Sequence, residues 1–257
     1  MIIREIWHYR QMIFSLVKRE LRGRYKGSFL GFLWTFLNPL LQLVVYTIVF
    51  SVIMRSGIED YYLFLFVALI PWIMFSTSVA GGCSCVLNHK DMVTKIYFPR
   101  EVLPIAHVTT AMVNMLYSFI VVFIVVLLAG VQVQPMALLC LPVIVVVEYI
   151  LSIGMALIVS SLTVFFRDLE HIMGILVMSW QFLTPVMYSV DQVPKELWPI
   201  FQLNPMTQVI TAYRDILYYG TMPHIKTLST ALMWGVISVL LGFVIFRILQ
   251  RRFAEEL

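Results

Sequence analysis

The chain has 257 residues, of which 61% are hydrophobic, 14% aromatic and only 12% charged, with a mean hydropathy of +0.91. So few polar side chains cannot coat a soluble globule of this size, so the composition is that of an integral membrane protein. The formal net charge of +4 would suggest a nucleic-acid partner in a soluble chain, but here the cations stand beside apolar segments, where membrane orientation accounts for them.

The predicted elements begin with residues 2–22. Ile3, Ile6, Trp7, Ile13, Phe14, Val17 and Leu21 recur at helical spacing, opposite Arg4, His8, Gln11, Ser15, Lys18 and Arg22. That is the pattern of an amphipathic helix lying in the membrane interface, either as a plain anchor or as a contact for a partner. The first 28 residues carry charges throughout and lack the short apolar core of a cleaved signal peptide. Lys18, Arg19, Arg22, Arg24 and Lys26 then lead directly into the first apolar run, where they can pair with anionic head groups. Gly23, Gly27 and Gly31 recur every fourth residue and permit either a close helix approach or a bend.

Six apolar segments approach or exceed the ~20 residues needed to cross a bilayer: 29–54, 61–83, 104–129, 137–165, 172–190 and 225–246. An even number returns both termini to one side. With the N-terminus in the cytoplasm, 14 of the 18 Lys and Arg residues lie on the cytoplasmic side, leaving Arg55, Lys195, Arg214 and Lys226 outside. The expected topology is therefore N-in and C-in. No internal repeat is visible, which disfavours a secondary transporter built by duplication.

Between spans two and three the loop NHKDMVTKIYFPRE offers Asn88 as a helix cap with Asp91 three residues on, and Pro99 as a stop. Met92, Val93, Ile96 and Tyr97 are expected to share one face of the resulting short helix. Such a helix either floats on lipid or docks into a protein, and the mixed charges of Lys90, Asp91, Lys95, Arg100 and Glu101 favour a protein groove. Further on, Glu148 is the one acidic side chain well inside a span, where an ionisable group is a functional candidate by default. Ser152, Ala156 and Ser160 on the same helix form a small-residue stripe suited to tight packing, so a structural hydrogen bond for Glu148 is an equal alternative. Gln181, Thr184 and Pro185 make the fifth span a kinked, partly polar helix that faces a channel or a neighbour.

Residues 191–224 form the only sizeable outer region. Asn204 followed by Pro205 is a strong helix start and Gly220 a matching stop. The helix they bound, with Met206, Val209, Ile210, Tyr213 and Leu217 on one side, is too short to span and too apolar for an ordinary loop. It is expected to re-enter the outer leaflet packed against protein, with a surface helix as the alternative.

Chemistry is sparse. There is no GxxxxGK[ST] phosphate loop, no acidic cluster for magnesium and no GxSxG elbow, so the chain is expected to have no catalytic site and no cofactor of its own. Cys83, Cys85 and Cys140 lack disulfide or zinc spacing and read as small packing residues. Most aromatic residues fit interfacial belts, but sugar C–H faces also stack on rings, which makes Trp34, Trp72, Phe75, Tyr188 and Trp198 candidates for a carbohydrate path.

Five blocks carry a resemblance: KRELRGRYKGSFLGFLWTFLNPLL, TKIYFPREVLP, FFRDLEHI, FLTPVMYSVDQVP and LNPMTQVITAYRDIL. Spread in order over nearly the whole chain, they resemble the ABC-2 type permeases that export O-antigen, teichoic acid and capsule-like polysaccharides. The run GGCSCVLNHKDM departs from that pattern, where a more polar Asn/Ser-rich stretch is expected. The resemblance implies an all-α protein of six transmembrane helices forming one domain over 1–257. That domain comprises an interfacial helix (1–28), spans one to five (29–190), outer gate helices (191–224), and span six with a cytoplasmic tail (225–257). It implies a homodimer in the bacterial cytoplasmic membrane, served by two copies of a separate ABC ATPase that binds ATP and magnesium, and a lipid-linked glycan as cargo.

By the same resemblance Asn88, Lys90, Asp91, Lys95, Tyr97, Phe98, Arg100 and Glu101 would couple to the ATPase. Arg22, Arg24, Tyr25, Trp34, Arg167 and Asp168 would form the inner mouth. Trp72, Phe75, Glu148, Gln181, Tyr188, Trp198 and Tyr213 would lie along the translocation path or its gate. Competing assignments are an ABC-2 exporter of a drug or simple lipid, a channel or scaffold working without ATP, and a membrane enzyme acting on lipid-linked sugar.

Overall fold

The structure, a computed structural model, describes residues 6–25 and 27–256. Ile3, Arg4 and Lys26 lie outside the described residues, as do the side chains of Arg24, Tyr25 and Ala254. The first helix, α1 (Arg10–Tyr25), sets Leu16 and Val17 into a buried cluster and leaves Trp7 and Phe14, upstream and within it, 67% and 68% exposed. Part of the amphipathic face thus rests on protein. Gly27 and Gly31 follow with φ of 83° and 48° and open space around both, so they turn the chain instead of seating a neighbouring helix.

The first span runs over Gly31–Ile53, with α2 (Trp34–Thr47) between a 3-10 turn and a π-helical end. Then come α3 (Tyr61–Gly82), the short α4 (Lys90–Lys95), α5 (Val102–Leu128), α6 (Pro135–Phe165) and α7 (Leu169–Leu183). Two short helices, α8 (Trp198–Leu203) and α9 (Pro205–Leu217), precede α10 (Ile225–Leu249) and a final turn, α11 (Phe253–Glu256). Among the described residues, 5 helices are long and apolar enough to cross a membrane.

The expected fifth span is the exception. The 15 residues of α7 reach about 22 Å at the α-helical rise, short of a ~30 Å hydrocarbon layer. The helix stops because Pro185 drives the residue before it out of the helical region: Thr184 has φ −105° and ψ 135°. The remainder of that crossing, residues 184–188, is not helical.

Helix α3 is apolar on all sides and sits at the centre, with 78% of its apolar window buried, against 6% for the first span. On one side of it α6 and α10 meet backbone to backbone. A Cβ on Gly154 would lie 2.3 Å from the Ser238 carbonyl carbon, and one on Gly242 would lie 2.5 Å from the Gly154 oxygen. At one end of the bundle Leu16, Val86, Val93, Phe98 and Phe253 share a cluster, so α1, the α4 loop and α11 gather at a single terminal end. At the far end the Gln134 amide donates to Gly220 O at 3.0 Å and Tyr218 Oη to Glu59 O at 2.7 Å.

Two local expectations are corrected. Asn88 is not the cap of α4: it lies in a 3-10 turn (Leu87–His89), and the helix starts at Lys90 without a side-chain cap. The backbone becomes extended at Ile96, so Val93 is buried while Ile96 and Tyr97 point away and are exposed; the four apolar residues do not share a face. The outer helix matches its sequence closely. Asn204 Oδ1 accepts from the Met206 amide at 3.1 Å, Pro205 opens α9, and Met206, Val209, Ile210, Tyr213 and Leu217 are all fully buried. Gly220 has φ 69°, and a Cβ there would lie 2.5 Å from Gln132 O.

Candidate functional site

Backbone that leaves a helix inside a bilayer must have its polar groups satisfied by protein. From Phe182 to Tyr188 every carbonyl has a donor. Phe182 O accepts from Tyr188 Oη at 2.7 Å, Leu183 O from Asn204 Nδ2 at 3.1 Å, and Thr184 O from the Val186 amide at 2.7 Å. Met187 O accepts from Tyr61 Oη at 2.8 Å. The remaining three belong to Arg214: its guanidinium donates to Pro185 O, to Val186 O at 2.6 Å and to Tyr188 O at 3.3 Å. Its Nε reaches Phe64 O at 3.4 Å, and the group lies 3.5 Å over the Phe64 ring. One buried cation from α9 therefore completes the broken crossing and ties it to α3. Sequence reasoning counted Arg214 only as an outer charge. The available signal was an arginine between Tyr213 and Asp215 in a short helix already expected to pack within the outer leaflet.

The residues expected along a path are mostly inside the core of one chain. Tyr213 Oη donates to Glu148 Oε2 at 2.7 Å, joining two of them, while Glu148 Oε1 is buried without a hydrogen-bond partner. Trp72 and Phe75 are also buried; Phe75 meets Trp180 edge to face at 5.2 Å, so both rings are used in packing. Trp72, Phe75, Glu148 and Tyr213 are thus all buried within the single chain. Gln181 is half-buried, and Tyr188 packs on Phe201 at 6.3 Å. Trp198 is half-buried and lines an open cavity.

Two cavities matter. The first, of about 530 Å³, lies between the first span, α3 and α5, and is lined by Trp34, Thr35, Asn38, Gln42, Asn114 and Ser118 among others. Trp34 Nε1 donates to Ser28 Oγ at 3.1 Å at its edge. Arg22, Arg167 and Asp168 are exposed and do not line it, so the structure does not gather the expected inner-mouth set around Trp34. Arg24 and Tyr25 of that set have side chains outside the described residues. The second cavity, of about 1050 Å³, opens at the far end between α8, α9 and the start of α10.

The expected coupling residues divide. Asn88, Lys90, Asp91, Lys95 and Tyr97 are exposed, Tyr97 at 95%, with Lys95 and Asp91 paired at 3.6 Å. Phe98 and Glu101 are buried and Arg100 half-buried against the C-terminal end of the same chain. Arg100 donates to Gln250 O and lies 5.8 Å over the Phe253 ring; Glu101 Oε1 accepts from Gln250 Nε2 at 3.3 Å and pairs with Arg247 at 3.5 Å. The loop is also joined to α1, since Arg19 contacts His89. Behind it, Glu20 meets His107 at 2.9 Å and accepts from Thr110 at 3.1 Å. Burial pushes the Cys85 thiol up, keeping it a neutral packing group. Burial likewise raises the Asp215 carboxyl at the far end, partly offset by His224.

Comparison with known proteins agrees over the whole length. The family described as ABC-2 type transporter matches residues 11–218. An O-antigen export system permease protein RfbA of Myxococcus xanthus is 38% identical, with 100% of this chain and 99% of the relative aligned. A protein of the same name from Klebsiella pneumoniae is 30% identical over 96% of this chain and 95% of its own. The polysialic acid transport protein KpsM of Escherichia coli is 23% identical over 91% of each.

Proposed function

The chain belongs to the ABC-2 type transporter family, and from that premise we propose that it is the permease subunit of an ATP-driven exporter of polysaccharide. The cargo is a lipid-linked glycan of the O-antigen or capsule kind, moved outward across the cytoplasmic membrane. The observation that carries this reading is the end-to-end likeness to O-antigen export permeases, at 38% identity over 258 residues. The lining of the smaller cavity supports it. Amides and hydroxyls of Asn38, Gln42, Thr35 and Ser118 offer sugar hydroxyls partners inside an otherwise apolar bundle, where a lipid or apolar drug needs only aliphatic walls.

Two copies assemble side by side, and the first span, with most of its surface open, offers one of the faces for that contact. ATP and magnesium are held by a separate ATPase, one copy beneath each permease. The terminal end faces the cytoplasm, as the Lys and Arg distribution favours. Exposed Lys90, Asp91, Lys95 and Tyr97 meet the ATPase, while buried Phe98 and Glu101 and half-buried Arg100 fasten the same loop to the C-terminal end of the chain. Closure of the ATPase dimer then favours one arrangement of the loop over another, and the attached spans follow as rigid bodies.

Deletion and complementation test the reading. Loss of the chain should remove polysaccharide from the cell surface and leave lipid-linked glycan on the cytoplasmic side, and the wild type should restore export. Lys90→Glu with Tyr97→Ala should insert normally yet lower both export and transport-coupled ATP hydrolysis. Unchanged surface polysaccharide in the deletion strain would refute the export function.

A further inference from the structure

The far-end cavity, of about 1050 Å³, is the largest described and has no part in the scheme above. That volume is near the upper end of ordinary small-ligand sites, roughly 300–1,000 Å³, and suits a chain of linked units better than a single small ring. Its walls mix two kinds of surface. Trp198 from α8 and Trp234 from α10 supply broad half-buried aromatic faces, while Gln208, Thr211 and Thr230 supply neutral polar groups.

Two of its lining polar atoms are buried and have no hydrogen-bond partner: Thr207 Oγ1, on a side chain 4% exposed, and Asp215 Oδ2. Buried polar atoms are ordinarily satisfied, and leaving them unpaired is costly, so the cavity is short of a donor at Asp215 and of a partner at Thr207. Hydroxyl groups fill both roles, because each can donate and accept. A metal ion would demand more oxygen ligands than this, and a phosphate would meet the carboxylates of Asp191 and Asp215, while of the lining residues Lys226, His224 and Arg214 the last already donates to backbone carbonyls.

We propose that this cavity is a saccharide subsite that holds several units of the exported glycan, with Asp215 and Thr207 engaging sugar hydroxyls and Trp198 and Trp234 covering pyranose faces. The identity of the glycan rests on the export reading; the sugar-binding chemistry does not. Lying beside the broken crossing that Arg214 fastens, the subsite takes the emerging chain after it has passed the bundle.

The test uses the full chain purified in detergent and, as probe, the host's own surface polysaccharide freed from lipid by mild acid. Tryptophan fluorescence should report saturable binding without ATP. Asp215→Asn with Thr207→Val should weaken it by about tenfold or more, the scale of losing a hydrogen bond to a charged group. Trp234→Leu should weaken it also, and Trp7→Leu should leave it unchanged. In a second measurement that requires no loss of contacts, Thr230→Cys should be protected from maleimide by the polysaccharide. Absence of saturable binding, variants that bind like the wild type, an unprotected Thr230→Cys, or displacement of the polysaccharide by phosphatidylglycerol micelles would each overturn the assignment, the last in favour of an outer-leaflet lipid. If deletion of the chain abolishes surface polysaccharide while these binding results fail, the subsite alone is wrong; if deletion changes nothing, the export reading has failed.

Discussion

The two ends of the bundle are fastened by different chemistry. At the far end one buried cation, Arg214, donates to backbone carbonyls of α3 and of the 185–188 segment. At the terminal end side chains meet side chains: Glu20 with His107, Glu101 with Arg247, Arg19 with His89. Carbonyls on a fixed backbone leave the guanidinium one arrangement, and breaking it strands several acceptors away from water. Glu20 and Arg247 are 32% and 43% exposed, so water screens one side of each of these ion pairs, and Arg19–His89 is a hydrogen bond without an opposite charge. The difference gives the far end a fixed geometry and the terminal end, which carries the coupling loop, an adjustable one.

The comparison breaks most visibly at Arg214. Arg214→Met leaves the Pro185, Val186 and Tyr188 carbonyls without their donor, at ~1–3 kcal/mol for each stranded group. The expected loss is on the order of 3–5 kcal/mol, read as a large fall in melting temperature of the purified protein and new protease sensitivity around residues 184–190. Arg214→Lys should fall between, since an ammonium cannot fork to several carbonyls at once. Wild-type melting for both would remove the proposed stiffness of the far end.

Next in size is the Glu101–Arg247 contact. Glu101 is 5% exposed but its partner 43%, so the pair is partly screened, and a double-mutant cycle with Glu101→Gln and Arg247→Met should give a coupling of about 1 kcal/mol. Transport-coupled ATP hydrolysis should fall by more than stability does. Equal losses in both would mean that the loop is merely held in place. Smaller again is Glu20→Gln. Its carboxylate is 32% exposed, and losing the contacts to His107 and Thr110 should cost under about 1 kcal/mol. Faster amide exchange in α1 with an unchanged melting temperature would locate that loss at the terminal end; a fall comparable to that of Arg214→Met would erase the contrast between the ends.

What could be read from the sequence follows the range of the forces involved. Long apolar runs specify spans because each helix satisfies its own backbone, and Asn204, Pro205 and Gly220 bound α9 through contacts within or near that helix. Thr184 and Pro185 signalled a kink, but whether the helix bends or stops depends on donors brought from Tyr61, Asn204 and Arg214, all remote in sequence. The aromatic residues divide, Trp34 and Trp198 lining cavities and Trp72 and Phe75 lying in the core, for a related reason. A ring suited to a sugar is equally suited to a core, and only the position of Trp180 beside Phe75 decides between them. Glu148 and Tyr213 were each singled out, yet nothing local indicated that they are partners.

The finest contrast lies within the far end, between Arg214, whose guanidinium is fully used, and its half-buried neighbour Asp215, whose Oδ2 has no hydrogen-bond partner. Burial raises the carboxyl of Asp215 above its ordinary value in the folded protein. Between the ordinary carboxylate value and that raised value the folded state therefore binds more protons than the unfolded one, and stability declines as pH increases through this window. Above the window the desolvation penalty, reduced by His224, is present; below it the penalty is gone. Asp215→Asn should accordingly melt slightly higher than wild type at neutral pH, with the gap closing as pH falls to the ordinary carboxylate range. Such a gain in stability, paired with weaker glycan binding, would separate a group retained for its ligand from Arg214, which is retained for the fold. A variant that is less stable at neutral pH would instead put Asp215 in the same structural class as Arg214.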